Sequence, residues 1–290
     1  MTDLNRFSIR DFYFHGRRES IDQASSQQIV DTLRTVYWYY GIRSRTGASK
    51  PYSVGKRLDP NSYARRTDGT MLFHHNKWAG YARGAHVPGP KLRAQVDQLC
   101  AGSCAELQHP LWRLLARPGQ SIEDLQACQR QLHPKTQLAL QGRGAEVEKH
   151  IRSTSRTLQR LDFLEALAGL ALAWQRAVVS NAISAAEKWR NELTTALLVH
   201  SYHLKKRSIA QPIFDFVDQF YAPRSSGPVG TSFMQGTFVD AADYLEHALW
   251  NIKDVSMADA DERTRRRLAQ DVVWGRYGAD IFFALKPVVR

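Results

Sequence analysis

From Ser153 to His203 the chain places Leu158, Leu161, Leu164, Leu167, Leu170, Leu172, Trp174, Val178, Ile183, Trp189, Leu193 and Leu197 at three- and four-residue intervals with few breakers. That is the period of one apolar helical face, and it predicts one very long helix, or two joined near Asn181. Shorter runs of the same period follow elsewhere. SSQQIVDTLRTVYWYYG at 25–41 has a polar start that can cap a helix, Ile29, Leu33, Val36 and Tyr37 on one face, and Gly41 to close it. Pro90–Leu99 aligns Leu92, Val96 and Leu99, and further helices are expected at Ile213–Phe220, Asp240–Ile252 and Ala258–Trp274. Residues 42–70 are rich in Gly, Pro, Ser and Asn with no sustained period, so they read as irregular loop.

Strand-like alternation is scarce, and no internal repeat, heptad run or low-complexity tract is present. The expected fold class is therefore mainly α. HPLWRLL followed by the turn RPG at 117–119 marks a boundary, giving a basic N-terminal helical module over 1–119 and a helical C-terminal domain over 120–290 that contains the long helix and serves association. The most apolar stretch, Leu161–Val179, holds Asp162, Glu165, Gln175 and Arg176, which a membrane span rarely tolerates. The opening MTDLNRFSIRDFYFHGRRES mixes acids with bases and lacks an apolar segment, unlike a secretory signal. With three cysteines, an odd number, the expectation is a cytoplasmic protein with no membrane partner.

Charge changes the picture because it is uneven. Of a net +12, residues 43–93 supply +9, from eleven Lys/Arg against Asp59 and Asp68. A concentrated basic segment is the footprint of a protein that meets a polyanion. Nucleic acid is the leading partner, with an anionic membrane surface or a merely solvated loop as alternatives. Arg43, Arg45, Lys50, Lys56, Arg57, Arg65, Arg66 and Lys77 are the candidate phosphate-binding residues.

LFHHNKWAGYARGAHVPGPKL, 72–92, reads as a helix ending in glycine. At 100° per residue Phe73, Trp78 and Tyr81 share one side, while His75, Asn76, Ala79 and Arg83 share the other. The second face offers donors, acceptors and a small residue, the composition that meets base edges in a major groove. W-A-G-Y-A-R-G-A-H-V-P resembles the end of the recognition helix, and the turn after it, in lambda-repressor-like helix-turn-helix proteins. Trp78 and Tyr81 stand at the apolar anchors, Arg83 at the basic position, Gly84 at the helix stop and Pro88 before the next helix. The resemblance covers about residues 73–99 and implies that His75, Asn76, Ala79 and Arg83 face double-stranded DNA. It departs from the family pattern where RRTDGTM replaces a compact first helix and Ala82 replaces an acidic residue; the first helix would then lie elsewhere, at 25–40.

Other candidates carry less. Cys100 and Cys104 are four apart, but no second tight pair answers them as zinc ligands with His109, Cys128 and His133; they read as small core residues on a helix, and no metal is expected. His200 and His203 in LLVHSYHLKKR, followed by Lys205, Lys206 and Arg207, read as the polar end of the long helix. Arg263, Arg265, Arg266 and Arg267, preceded by Asp259, Asp261 and Glu262, fit the helix dipole first and a secondary nucleic-acid contact second. No phosphate-binding loop, nucleophile elbow or metal-protease histidine pair occurs, so no catalytic residue and no cofactor is expected. The leading expectation is a DNA-binding protein, a transcriptional regulator or a DNA-binding component of a mobile-element or phage-defence system. The alternative is a helical adaptor or structural subunit of a larger protein or ribonucleoprotein complex. A homo-oligomer or protein contact would use residues 153–203.

Overall fold

The computed structural model describes residues 3–63, 68, 70, 77–141, 147–221, 237–252 and 257–277, and among them every regular element is a helix. A short 3₁₀ turn at Leu4–Arg6 leads into α1 (Ile9–Arg17), and a second at Ile21–Gln23 leads into α2 (Ser26–Thr46). Then come α3 (Pro51–Leu58), a 3₁₀ turn at Pro60–Tyr63, α4 (Lys77–Arg83), α5 (Pro90–Leu99), α6 (Ser103–Gln108) and α7 (Pro110–Ala116). The remainder is α8 (Ile122–Gln131), α9 (Pro134–Gln141), α10 (Val147–Gln159), α11 (Phe163–Val179), α12 (Ile183–Val199), α13 (Ser201–Lys206), α14 (Ala210–Phe220), α15 (Phe238–Trp250) and α16 (Glu262–Val273). No helix among the described residues is long and apolar enough to cross a membrane.

The centre is α11. Its sequence, FLEALAGLALAWQRAVV, is apolar nearly all round, and thirteen of its seventeen residues are buried. A helix with no polar face must be enclosed, and α7, α8, α9, α10 and α12 enclose it. α12 returns antiparallel after a turn at Asn181 (φ 54°), a residue type that tolerates the left-handed conformation. The one buried amide of the helix donates from Gln175 Nε2 to the Leu114 carbonyl at 2.8 Å, an oxygen that also accepts from the Tyr221 hydroxyl at 3.0 Å, while Gln175 Oε1 has no partner among the described residues.

Several boundaries differ from the sequence reading. The long apolar run breaks at 160–162 as well as at Asn181, so residues 153–203 belong to α10, α11, α12 and α13. α2 begins with the expected Ser25 cap, a capping box closed by Gln28, but continues past Gly41 to Thr46 before Gly47 ends it at φ 62°. Gly41 lies inside the helix, against the Arg207 guanidinium. The stretch read as irregular loop contains α3, which buries Val54, Gly55 and Leu58. Buried side chains from Leu4 to Val273 form one cluster. The chain start is tied to its far end, with Asn5 Nδ2 donating to the Lys205 carbonyl at 3.0 Å, the Ile9 N–H to Asp215 at 2.9 Å, and Arg6 paired with Asp240 and Asp243.

α1 crosses the end of α4 with no space for a side chain. A Cβ on Gly16 would collide with the Arg83 carbonyl oxygen, and one on Gly84 (φ 75°) would lie 2.7 Å from the Thr32 carbonyl oxygen. Helix propensity alone favours alanine over glycine inside α1 by about 1 kcal/mol. Backbone overlap reverses the sign, so Gly16→Ala is predicted to lose about 1–3 kcal/mol, seen as a lower urea midpoint. A higher midpoint would mean that α1 does not cross Arg83 in this way.

Candidate anion-binding cleft

The residues expected to meet DNA are largely occupied or recessed. His75, Asn76, Arg65 and Arg66 lie outside the described residues. In α4, Trp78 and Tyr81 are buried as expected, with Trp78 stacked on Trp38 of α2 (centroids 6.3 Å apart) and Tyr81 edge-on to both rings. Ala79 and Arg83 line a recess of about 170 Å³ walled by Leu4, His15, Tyr40 and Arg43. Arg43 donates to the Ala48 carbonyl at 3.3 Å, Arg45 pairs with Glu106, Arg57 donates to the Thr46 carbonyl, and Lys77 holds Asp59 at 2.7 Å. Lys50 and Lys56 are exposed, with no ion pair among the described residues.

Free positive charge collects instead around α16. Asp261 caps the helix by accepting from the Thr264 N–H at 2.7 Å, and Glu262 sits in the first turn. Successive residues on a helix turn by 100°, so the arginines divide. Arg265 points inward, 9% exposed, donating to the carbonyls of Ala260 and Met257 and lying over the Tyr202 ring at 4.5 Å. Arg263, Arg266, Arg267, Gln270 and Trp274 fall on a common stripe.

Two adjoining recesses, of about 330 and 350 Å³, lie along that stripe. The first is lined by Arg160, Arg263, Arg266, Arg267 and Gln270. The second shares Arg160, Arg263 and Arg266 and adds His133, Lys135, Leu161, Asp162 and Glu165. They form one cleft between α16, the start of α9 and the break between α10 and α11. Five cations face two carboxylates, and both carboxylates are qualified. Asp162 is 91% exposed and 3.5 Å from Arg266. Glu165 accepts from His109, from the His133 N–H and from the Thr136 hydroxyl; burial raises its pKa, but these hydrogen bonds outweigh burial and hold it below the usual value. Lys135, Arg263 and Arg267 make no side-chain hydrogen bond or ion pair with other described residues and are exposed.

A polar seam holds the two helical walls in register. Gln270 Nε2 donates to the Arg156 carbonyl at 3.0 Å, Arg160 Nε reaches Gln270 Oε1 at 3.4 Å, and Trp274 Nε1 donates to Gln159 Oε1 at 3.1 Å. Gln159 and Gln270 are buried. The seam anchors Arg160 and fixes the helix backbones that carry the other arginines, whose planar guanidinium forks suit phosphate oxygens.

Behind Arg266 a hydrogen-bond chain runs from the buried Tyr37 out to the exposed Glu262. The Tyr37 hydroxyl is 2.9 Å from His203 Nε2, His203 Nδ1 is 2.5 Å from Glu262 Oε1, and the imidazole stacks on Phe163 at 5.4 Å. The carboxylate can only accept, so Nδ1 carries a proton, and in the neutral ring Nε2 accepts from Tyr37. Both nitrogens are engaged, which leaves His203 a brace between α2, α13 and α16 rather than a free proton carrier. The hydrogen bond from His203 holds the Glu262 carboxyl down at about 2 against the opposing effect of burial. His200, 2% exposed, lines a cavity of about 20 Å³ with His203, Glu262 and Arg266, and its Nε2 has no partner. Burial, then the neighbouring Arg266 and His203 charges, push its pKa well below the usual value. The two histidines are thus packed into the core region rather than forming a solvated helix end.

Among the described residues no group of three or more His, Cys, Asp or Glu side chains is placed to hold a metal ion. Cys100 and Cys104 do not share a helix: Cys100 ends α5 and Cys104 lies in α6. Cys128 is buried, its sulfur contacted by Arg113 at 2.8 Å. The chain matches no protein-family model, no curated protein and no solved structure.

Two titratable groups behind the cleft, His200 and Glu262, predict two separate acid transitions. A histidine whose folded pKa is lowered destabilises the fold as pH falls through its unfolded value of about 6.5, because the unfolded chain then binds the extra proton. A carboxyl held near 2 contributes stability that is present above its unfolded value and is lost as pH falls from about 4.5 towards 2. Stability should therefore decline first below about pH 6.5, and His200→Gln should flatten that first decline while keeping the second. An unchanged first decline in the variant would assign it to another group.

Proposed function

We propose that the protein binds nucleic acid and that the cleft along α16 is its phosphate site. The observation that carries this is the convergence of Lys135, Arg160, Arg263, Arg266 and Arg267, from three separated stretches of chain, on one recess. Like charges gather at a thermodynamic cost unless an anion neutralises them. Lys135, Arg263 and Arg267 make no side-chain hydrogen bond or close ion pair among the described residues, whereas Arg45, Arg57 and Lys77 are engaged within the fold. Binding would proceed by phosphate neutralisation and counterion release, without chemistry on the ligand. The helix-turn-helix resemblance places the contact on α4 instead, where Ala79 and Arg83 line a recess.

A second reading, the helical adaptor, draws on one feature. Val178, Val179 and Ile183, at the turn between α11 and α12, are 42%, 38% and 53% exposed, and an apolar cluster at a helix-pair end suits a protein contact.

The two locations are separable in a salt titration of binding. Arg263→Ala with Arg267→Ala should weaken binding and reduce the slope of log affinity against log salt by about 2, one for each phosphate contact removed. Lys50→Ala with Lys56→Ala should leave the slope nearly unchanged. The opposite pattern would move the phosphate contacts to the N-terminal basic segment, and no binding at low salt would remove the nucleic-acid reading.

A further inference from the structure

The shape and furnishing of the cleft bear on which form of nucleic acid it takes. Each recess, at about 330 and 350 Å³, is in the range of a pocket for a small ligand. The two walls meet where Arg160 reaches Gln270 at 3.4 Å. From Arg263 to Trp274 the stripe of α16 runs for about 16 Å at 1.5 Å per residue. At its far end Trp274 is half-buried, with the exposed Arg156 guanidinium 4.2 Å over its ring. The track therefore passes from unpaired cations to a planar aromatic–guanidinium surface.

That combination, a basic groove ending on a stacking platform, suits unpaired bases, whose faces are hidden inside a duplex. Two polar side chains of the floor, Gln270 and Trp274, are already engaged within the fold. The Gln270 amide donates to the Arg156 carbonyl at 3.0 Å and to Gln159 at 3.4 Å, and accepts from Arg160. The Trp274 N–H is likewise spent on Gln159.

Resting on the nucleic-acid reading above, we infer that the ligand is a single strand, bound with little sequence preference. Its phosphates lie along Arg263, Arg267 and Arg160, and a base stacks on the Arg156–Trp274 pair. Trp274 is a binding residue on this account, and the seam below it is a positioning element.

The test is fluorescence anisotropy of the full chain with labelled oligothymidylate, a mixed-sequence single strand, and the same sequence as a duplex, at fixed low salt. The expected result is tighter binding of both single strands than of the duplex, within a few-fold of each other. Trp274→Ala should weaken single-strand binding about tenfold, as loss of one stacked base does, while Trp274→Phe keeps most of it. Arg156→Ala, which removes the cation over the ring, should weaken it as well. Equal or tighter binding of the duplex by the unaltered protein overturns the inference and leaves the nucleic-acid reading standing, and it does so even if Trp274→Ala fails to fold. Binding of neither form overturns both.

Discussion

An apolar helix enclosed on every side is the constraint from which the rest of this structure follows. α11 has no face to offer water, so five helices must pack round it, and the chain spends most of its middle supplying them. The buried Leu, Ala and Trp side chains contribute about 25 cal/mol for each Å² of apolar surface removed from water. Small residues keep the approach close, and Gly169 rests directly against Leu158 of α10. α12 is the return stroke of the same element, and α16 packs against α12. The position of the arginine stripe is thus inherited, through two helix contacts, from the burial of α11.

Tyr37 joins the two ends of the chain to that centre. Its ring meets Trp112, Phe163 and His203, the Arg207 guanidinium lies over it at 4.5 Å, and its hydroxyl continues through His203 to Glu262. A phenol so deep keeps its proton, because burial raises its pKa far above the usual value. The chain of hydrogen bonds ends in the first turn of α16, one helical turn from Arg266. Residues near the start of the sequence therefore help to hold the cleft. Within the cleft Lys135, Arg263 and Arg267 make no close ion pair among the described residues, whereas Arg45 and Arg207 share the Glu106 carboxylate.

Helix identity was legible wherever apolar spacing and a stop signal agreed. Pro90–Leu99 coincides with α5, the Ser25 cap starts α2, and Asn181 divides α11 from α12. The break at 160–162 was not legible, because Leu158, Leu161 and Leu164 carry the apolar period straight across it. α3 was hidden by its own composition: PYSVGKRL looks like a turn, yet Val54 and Leu58, four apart, are enough to bury one face. The basic segment drew attention by density in sequence, whereas availability depends on partners such as Glu106 and Asp59 that only the fold brings near. For the cleft the signal in the sequence was the Arg263–Arg267 cluster, which helix polarity explained equally well. Lys135 and Arg160, more than one hundred residues earlier, give it a different meaning by standing opposite.

Hydrogen–deuterium exchange of the full chain with and without a single-stranded oligonucleotide tests the central claim most directly, since it asks where the ligand sits without altering a residue. The account predicts slowed exchange over α16, the start of α9 and the junction of α10 with α11, with α3 and α4 unchanged. Protection confined to α3 and α4 would contradict it and return the phosphate site to the basic segment between residues 43 and 93.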